Sequence, residues 1–157
     1  MMVPDLESRD RMGAIKELVD RMPLEGSVID SLAFLQSVMD REDVESTVVG
    51  AGVAFPHARC RSVTRLAAAI GISRKGVEFP TNGDTEQVHI ICLLGVPVIG
   101  SGGYLPLLGA LTALFRDRTF RSGFMGCRTS EQMRGFLDGA ASEGPECRLG
   151  RVRGAGR

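Results

Sequence analysis

His57 is one of two histidines in the chain and directly follows the run Gly50-Ala51-Gly52-Val53-Ala54-Phe55-Pro56. Pro56 has no amide donor and does not fit inside a central ladder, so it is expected to end a strand and leave His57 at the strand terminus, within reach of a cleft. A free imidazole titrates near ~6.5, so much of it is an available nucleophile at neutral pH. Its nitrogen can carry a phosphoryl group as a covalent intermediate. That product is strongly negative and needs guanidinium or amide donors; Arg41, Arg59 and Arg61 are close in sequence. The same residues also fit a surface or half-buried histidine that happens to follow a proline, and spacing alone leaves both readings open.

The other chemistry-bearing residues give weaker patterns. Gly100-Ser101-Gly102-Gly103 precedes an apolar helix, where loop amides and a helix N-terminus can hold an anion. It matches neither dinucleotide nor P-loop spacing, and a plain flexible connection is the preferred reading. His89 lies inside the apolar run Val88–Leu94, a core or sheet-face position. His57 and Cys60 form one H-x-x-C pair with no second pair at metal-site spacing, so no metal or other cofactor is expected. No serine-centred nucleophile motif occurs, and the carboxylates single out no acid/base pair.

At 157 residues one domain is expected, with a core that needs no staples. Lys+Arg and Asp+Glu balance at 19 each, so bulk charge gives no reason to expect a nucleic acid or membrane-surface partner. Lysine occurs only at Lys16 and Lys75; the arginine bias fits anion recognition and equally a GC-rich genome. Cys60, Cys92, Cys127 and Cys147 show no disulfide framework, the start lacks a signal peptide's basic and apolar runs, and no stretch approaches a membrane span. These features read as a cytoplasmic protein with reduced thiols.

The positioning elements follow from periodicity. Ser8 is expected to cap a helix over 9–22 with Met12, Ile15, Val19 and Met22 as its apolar stripe, and Asp30 a helix over 31–40 burying Leu32, Leu35, Val38 and Met39. Strands are expected over 47–49, 53–55, 66–73 and 88–94, the last buried on both faces, with Arg74-Lys75-Gly76 as a turn. A helix is expected over 105–116 with Leu105, Leu108, Leu111, Thr112 and Phe115 inward. A less regular segment over 119–127 comes next, then a helix over 131–139 capped by Thr129 or Ser130, with Met133, Phe136 and Leu137 inward. This order implies an α/β domain over 1–140 with helices covering a central sheet, followed by a flexible tail over 141–157.

The stretch from Arg41-Glu42 through Thr47 and Gly50 to Pro56-His57-Ala58 resembles the phosphorylation-site region of type-2 IIA proteins. These belong to the phosphoenolpyruvate-dependent sugar phosphotransferase system, in its fructose, mannitol and nitrogen-regulatory branch. The likeness continues through Gly76-Val77-Glu78-Phe79, Val88–Leu94, Tyr104–Asp117 and the Ser130-Glu131 helix, covering about residues 5–139. It implies a three-layer α/β/α sandwich with a mixed sheet. It also implies phosphorylation of His57 by a histidine-containing phosphocarrier protein, with Arg41 helping to hold the phosphoryl group.

Three departures stand out. Tyr104 occupies the place of the family's second active-site histidine; a phenol donates a hydrogen bond but does not act as an imidazole near neutrality. The family's leading strand is expected to be shortened or missing, which leaves a sheet edge open. Ala51 stands where a polar or acidic residue is common, removing a possible supporting contact to the site. With Tyr104 in place of the second histidine and no permease segment in the sequence, a regulatory phosphorelay protein of the nitrogen type is expected. The alternatives are a sugar-specific subunit that passes phosphate to the IIB component of a fructose- or mannitol-type permease, or a member that binds partners without being phosphorylated.

Overall fold

The computed structural model describes residues 1–142. In chain order its elements are β1 (Met2–Val3), α1 (Arg11–Val19), a 3-10 turn (Met22–Glu25), α2 (Ser31–Val44), β2 (Val48–Gly50), β3 (Val53–Ala54), β4 (His57–Arg59), β5 (Ala67–Thr81), β6 (Asp84–Val96), α3 (Tyr104–Arg116), α4 (Arg118–Met125) and α5 (Ser130–Ser142). The six strands form one mixed sheet in the order β1-β5-β6-β3-β2, with β4 also paired to β6. β5 and β6 are antiparallel; β1 runs parallel to β5, and β3 and β4 run parallel to β6.

β6 is central because both of its faces are apolar. Ile91 and Leu93 point into a core shared with Ala14, Ile15, Leu18 and Val19 of α1 and Phe34 and Val38 of α2. Ile90, Cys92 and Leu94 point into a second core with Leu111, Phe115, Phe120, Phe124 and Met133 of α3, α4 and α5. The two cores on opposite faces make the three-layer α/β/α arrangement. The phenylalanines of α3 and α4 pack edge-on: Phe115 lies 5.2 Å from Phe124 and 5.3 Å from Phe120 between ring centroids.

Several expectations require correction. Asp10, not Ser8, caps α1, accepting from Gly13 N at 2.9 Å, while the Ser8 amide donates to Glu17. Met12 is 55% exposed, and the buried stripe of α1 is Ala14, Ile15, Leu18 and Val19. Asp30 does cap α2, accepting from Ala33 N at 3.0 Å, but the helix runs on to Val44. Its buried face is Phe34, Val38, Met39 and Glu42; Leu32 is 75% exposed. Glu42 is buried because Thr47 donates to it through both its amide, at 3.3 Å, and its hydroxyl.

Arg74-Lys75-Gly76 is no turn: it forms an irregularity inside β5, and the chain reverses later, at Asn82-Gly83. Both of those residues have positive φ, 43° and 88°, as a tight hairpin requires. The segment expected to be less regular is helix α4, capped by Asp117, which accepts from Phe120 N at 2.7 Å. A short leading strand is present as β1, which pairs with Ile70 and Gly71 along one edge of β5. α5 is capped by Thr129, whose hydroxyl accepts from Gln132 N at 3.1 Å, and continues to Ser142; the rest of the expected tail, 143–157, lies outside the described residues.

Candidate functional site

Pro56 interrupts its strand without shifting it. Val53 and Ala54 of β3 pair with Ile90 and Ile91, and His57 of β4 pairs with Leu94, so three residues pass on each strand and the register is kept. The strand does end before Pro56, and His57 stands at a strand terminus as expected, but it is the first residue of a resumed strand rather than the end of the one before it. Leu94 N donates to Pro56 O at 2.9 Å, and Phe55 N donates to Thr47 O at 3.1 Å. The carbonyl of Phe55 lies 2.9 Å from Nδ1 of His57. Because a carbonyl only accepts, this contact places the proton on Nδ1 and leaves Nε2 with the free lone pair.

The imidazole is half-buried in a cleft of about 340 Å³ lined by Ser37, Arg41, His57, Ala58, Arg59, Val96 and Tyr104. Arg41 comes from the last turn of α2, where it donates to Glu45 O at 2.8 Å. Arg59 comes from the end of β4, two residues after His57 and hence on the same side of the strand. Tyr104 opens α3, and its ring centroid lies 5.6 Å from that of His57 at an interplanar angle of 41°. Burial raises the ionisation of the Tyr104 phenol above its ordinary value, outweighing the opposing pull of Arg41 and Arg59. The hydroxyl is thus a neutral donor, and no described residue hydrogen-bonds it.

The three predicted site residues His57, Arg41 and Tyr104 meet in this one cleft, and Arg59 joins them. Arg61 is exposed and does not line it. Ser37 was not singled out from the sequence, although it stands four residues before Arg41 and so shares its helix face. Ala51 is corrected as a supporting residue. It sits in the β2–β3 turn at φ 54°, beyond the Val53–Ile90 pair, whereas His57 pairs with Leu94. Four residues of strand put about 13 Å between those two pairs. The Gly100–Gly103 loop contributes no residue to the cleft lining, so it is a connection and not an anion cradle there.

His89 holds the sheet together, its Nδ1 lying 2.8 Å from Ser73 O on β5. Cys60 places Sγ 3.0 Å from Ser62 Oγ. Burial raises the Cys60 thiol, but hydrogen bonds from Ser62 and Ser37 outweigh it and the net shift is downward. Among the described residues no group of three or more histidines, cysteines and carboxylates is placed to hold a metal ion, and no helix is long and apolar enough to cross a membrane. Chemically, the cleft offers one unprotonated ring nitrogen, two guanidinium groups and one neutral hydroxyl donor. That is an arrangement for accepting a compact, multiply charged anion.

Comparison with known proteins bears on the family and the fold. Residues 2–139 match the family described as "Phosphoenolpyruvate-dependent sugar phosphotransferase system, EIIA 2". The chain is 28% identical over 117 residues to the PTS system fructose-specific EIIABC component of Bacillus subtilis; the match covers 74% of this chain and 18% of that protein. Among solved structures it resembles nitrogen regulatory protein IIA-Ntr of Neisseria meningitidis, with TM-score 0.76 and 28% identity over 87% of this chain and 92% of that one. It also shares the fold of the mannitol enzyme IIA of Escherichia coli, solved in complex with phosphorylated mannitol enzyme IIB, at TM-score 0.74 and 16% identity over 88% of this chain and 94% of that one.

Proposed function

The chain belongs to the EIIA 2 family of the phosphoenolpyruvate-dependent sugar phosphotransferase system, and from that premise we propose that His57 is its phosphoryl carrier. The single observation that carries this reading is the Nδ1–H···O=C contact to Phe55, which leaves Nε2 as the nucleophile facing Arg41, Arg59 and Tyr104. In the step proposed, the Nε2 lone pair attacks the phosphorus of a phosphohistidine on a histidine-containing phosphocarrier protein. The donor's N–P bond breaks, its ring nitrogen keeps the electron pair, and an Nε2–P bond forms on His57. Arg41 and Arg59 neutralise the phosphoryl oxygens, and Tyr104 donates to one of them. Transfer is mainly positioning and charge stabilisation, which these groups supply.

The onward role we assign is regulatory: the phosphorylated and free forms differ at the cleft mouth in charge, and so bind different partners. The likeness to IIA-Ntr supports this. The second reading, supported by the fructose-specific relative, is that His57 passes its phosphoryl group to a IIB component. Both readings locate the protein in the cytoplasm.

The test incubates the protein with phosphoenolpyruvate, the first enzyme of the system and the phosphocarrier, then measures intact mass. An acid-labile phosphate adduct that is lost in His57→Ala is the expected result. No adduct under conditions that label another family member would sink the proposal and leave a binding module that is not phosphorylated. Addition of a IIB component then separates the two onward roles, because only a sugar-specific subunit discharges rapidly to it.

A further inference from the structure

Among the described residues Glu42 is the one acidic or basic side chain that is buried, at 2% exposure, and no described cation is ion-paired with it. Arg11 lines the same hollow beside α2 but pairs with Asp43 at 2.7 Å. Arg41, the preceding residue, donates instead to Glu45 O. Both hydrogen bonds that Glu42 accepts come from Thr47, which gives its amide to Oε2 at 3.3 Å and its hydroxyl to Oε1. Burying a carboxyl is costly and is tolerated where its partners are fixed, so the two residues form a clasp between the last turn of α2 and the start of β2.

The clasp leads to His57. The carbonyl of Thr47 accepts from Phe55 N at 3.1 Å, one rung beyond the Val48–Ala54 pair of β2 and β3. The peptide between Phe55 and Pro56 has no N–H, so no ladder bond donated from it fixes its carbonyl. That falls to the bond at Phe55 N and to the Phe55 ring, which is buried in the second core. The same carbonyl lies 2.9 Å from Nδ1 of His57. Hydrogen bonds thus run in series from Glu42 through Thr47 and Phe55 to the imidazole. The clasp also anchors the helix turn from which Arg41 enters the cleft.

We propose that Glu42 and Thr47 are positioning residues for phosphoryl transfer at His57: their clasp sets the Phe55 carbonyl, which keeps the ring proton on Nδ1, and holds the α2 turn that presents Arg41. This rests on the phosphoryl-carrier reading of His57 and adds the pair that keeps its nucleophile ready. Neither residue lines the cleft, so both act through their neighbours and not on the phosphoryl group.

The test reads tautomer and transfer separately on the full chain. Long-range proton–nitrogen correlation spectra at pH ~8.5, where an ordinary imidazole is neutral, show which ring nitrogen carries the proton. Thr47→Val removes the hydroxyl donor, and Glu42→Gln keeps the shape but leaves one acceptor oxygen where there were two. In both, His57 is expected to pass from the Nδ1–H form to a mixture of tautomers. His89, whose Nδ1 is bonded to Ser73 O, should keep its own tautomer and so show that the sheet is folded. Both variants should lose about tenfold in kcat for phosphorylation by the phosphocarrier, with KM changed less than about twofold, because a displaced nucleophile costs rate and not docking. Thr47→Ser keeps the hydroxyl and should match wild type in both readouts. Met133→Ala, which thins the second core under α5, is the destabilised control in which His57 keeps its tautomer. A His57 tautomer unchanged in either clasp variant overturns the inference, as does a changed tautomer with unchanged kcat. An equal change at His89 or in Met133→Ala overturns it too, since that is general loosening. If wild type takes no phosphate under conditions that label another family member, the phosphoryl-carrier reading fails and the positioning role falls with it, while the spectra still show whether the clasp sets the tautomer.

Discussion

Tyr104→Phe removes one oxygen from the cleft and leaves the ring that packs 5.6 Å from His57. No described residue bonds that hydroxyl, so stability should stay within about 0.5 kcal/mol of wild type. Under the proposed function the cost falls on the phosphorylated state, which loses a donor to a charged group. Such bonds are worth ~1.5 to ~3 kcal/mol, or roughly 10- to 150-fold in an equilibrium constant. The cleft is open and water can replace the phenol, so the lower end applies, about tenfold. The assay is the equilibrium division of phosphate between phosphocarrier and His57, read by intact mass of both proteins. Tyr104→Phe should shift it about tenfold toward the carrier. Because burial raises the phenol's ionisation despite Arg41 and Arg59, the donor is retained through neutral and mildly alkaline pH, and the wild-type division should show no tyrosine-linked step there. Tyr104→His should introduce one, centred near ~6.5. An unchanged division in Tyr104→Phe, within twofold, would refute the role given to the hydroxyl and leave Tyr104 as a packing residue.

Thr47→Val keeps the shape at the α2–β2 junction but removes the hydroxyl donor to buried Glu42; we expect a loss of ~1 to ~3 kcal/mol in denaturant melts, with weaker phosphoryl acceptance as Arg41 loosens. Glu17 accepts from the amides of Glu7 and Ser8 at 3.1 and 2.6 Å; burial raises its carboxyl, but the hydrogen bonds outweigh it and hold the folded-state value below the ordinary one. Its contribution is therefore present above the unfolded value and lost as pH falls through the folded one, so Glu17→Gln should flatten the acid side of the stability profile. In native alkylation followed by peptide mass mapping, Cys60 should label before Cys92, since its thiol is shifted down while complete burial pushes Cys92 far up. Equal labelling would contradict the packing around β6. Phe124→Ala removes a fully buried ring that touches Phe115 and Phe120, and should cost ~3 to ~5 kcal/mol in the same melts.

What the sequence made legible was set by how locally each feature is encoded. The β6 core announced itself because a doubly covered strand must be apolar throughout, and Asp30 because a cap acts on amides three residues away. Leu32 misled because helical spacing defines a stripe without saying which of two neighbouring stripes meets the sheet; Phe34 and Val38 win that contact. α4 was hidden by Thr119, Ser122 and Gly123, although the Asp117 cap and the Phe120–Phe124 spacing were available signals. Asn82-Gly83 is a strong hairpin dipeptide that was masked by the earlier glycine at Gly76, which belongs to an irregularity rather than a turn. At the site, Arg41 and Tyr104 lie 16 residues before and 47 after His57 in the chain, so residue chemistry alone could nominate them but not bring them together. Family resemblance supplied that pairing, and it could not supply Ser37.

The role of Pro56 follows from the ladder around it. β3 and β4 keep a common register on β6, so they are one parallel strand with a two-residue gap at Phe55-Pro56. An uninterrupted strand would pair those residues with Cys92 and Leu93 and commit their polar groups to the ladder. Proline has no N–H to offer there, yet its carbonyl still accepts from Leu94, so the strand resumes in phase. The gap leaves the Phe55 carbonyl turned to the ring of His57, and that contact fixes which nitrogen is free. A histidine on a loop could reach the same cleft, but its tautomer and orientation would be set by solvent. Here the Phe55 carbonyl sets the tautomer on a strand held in register by β6, which is what the transfer proposed for His57, between two protein surfaces in one geometry, would require.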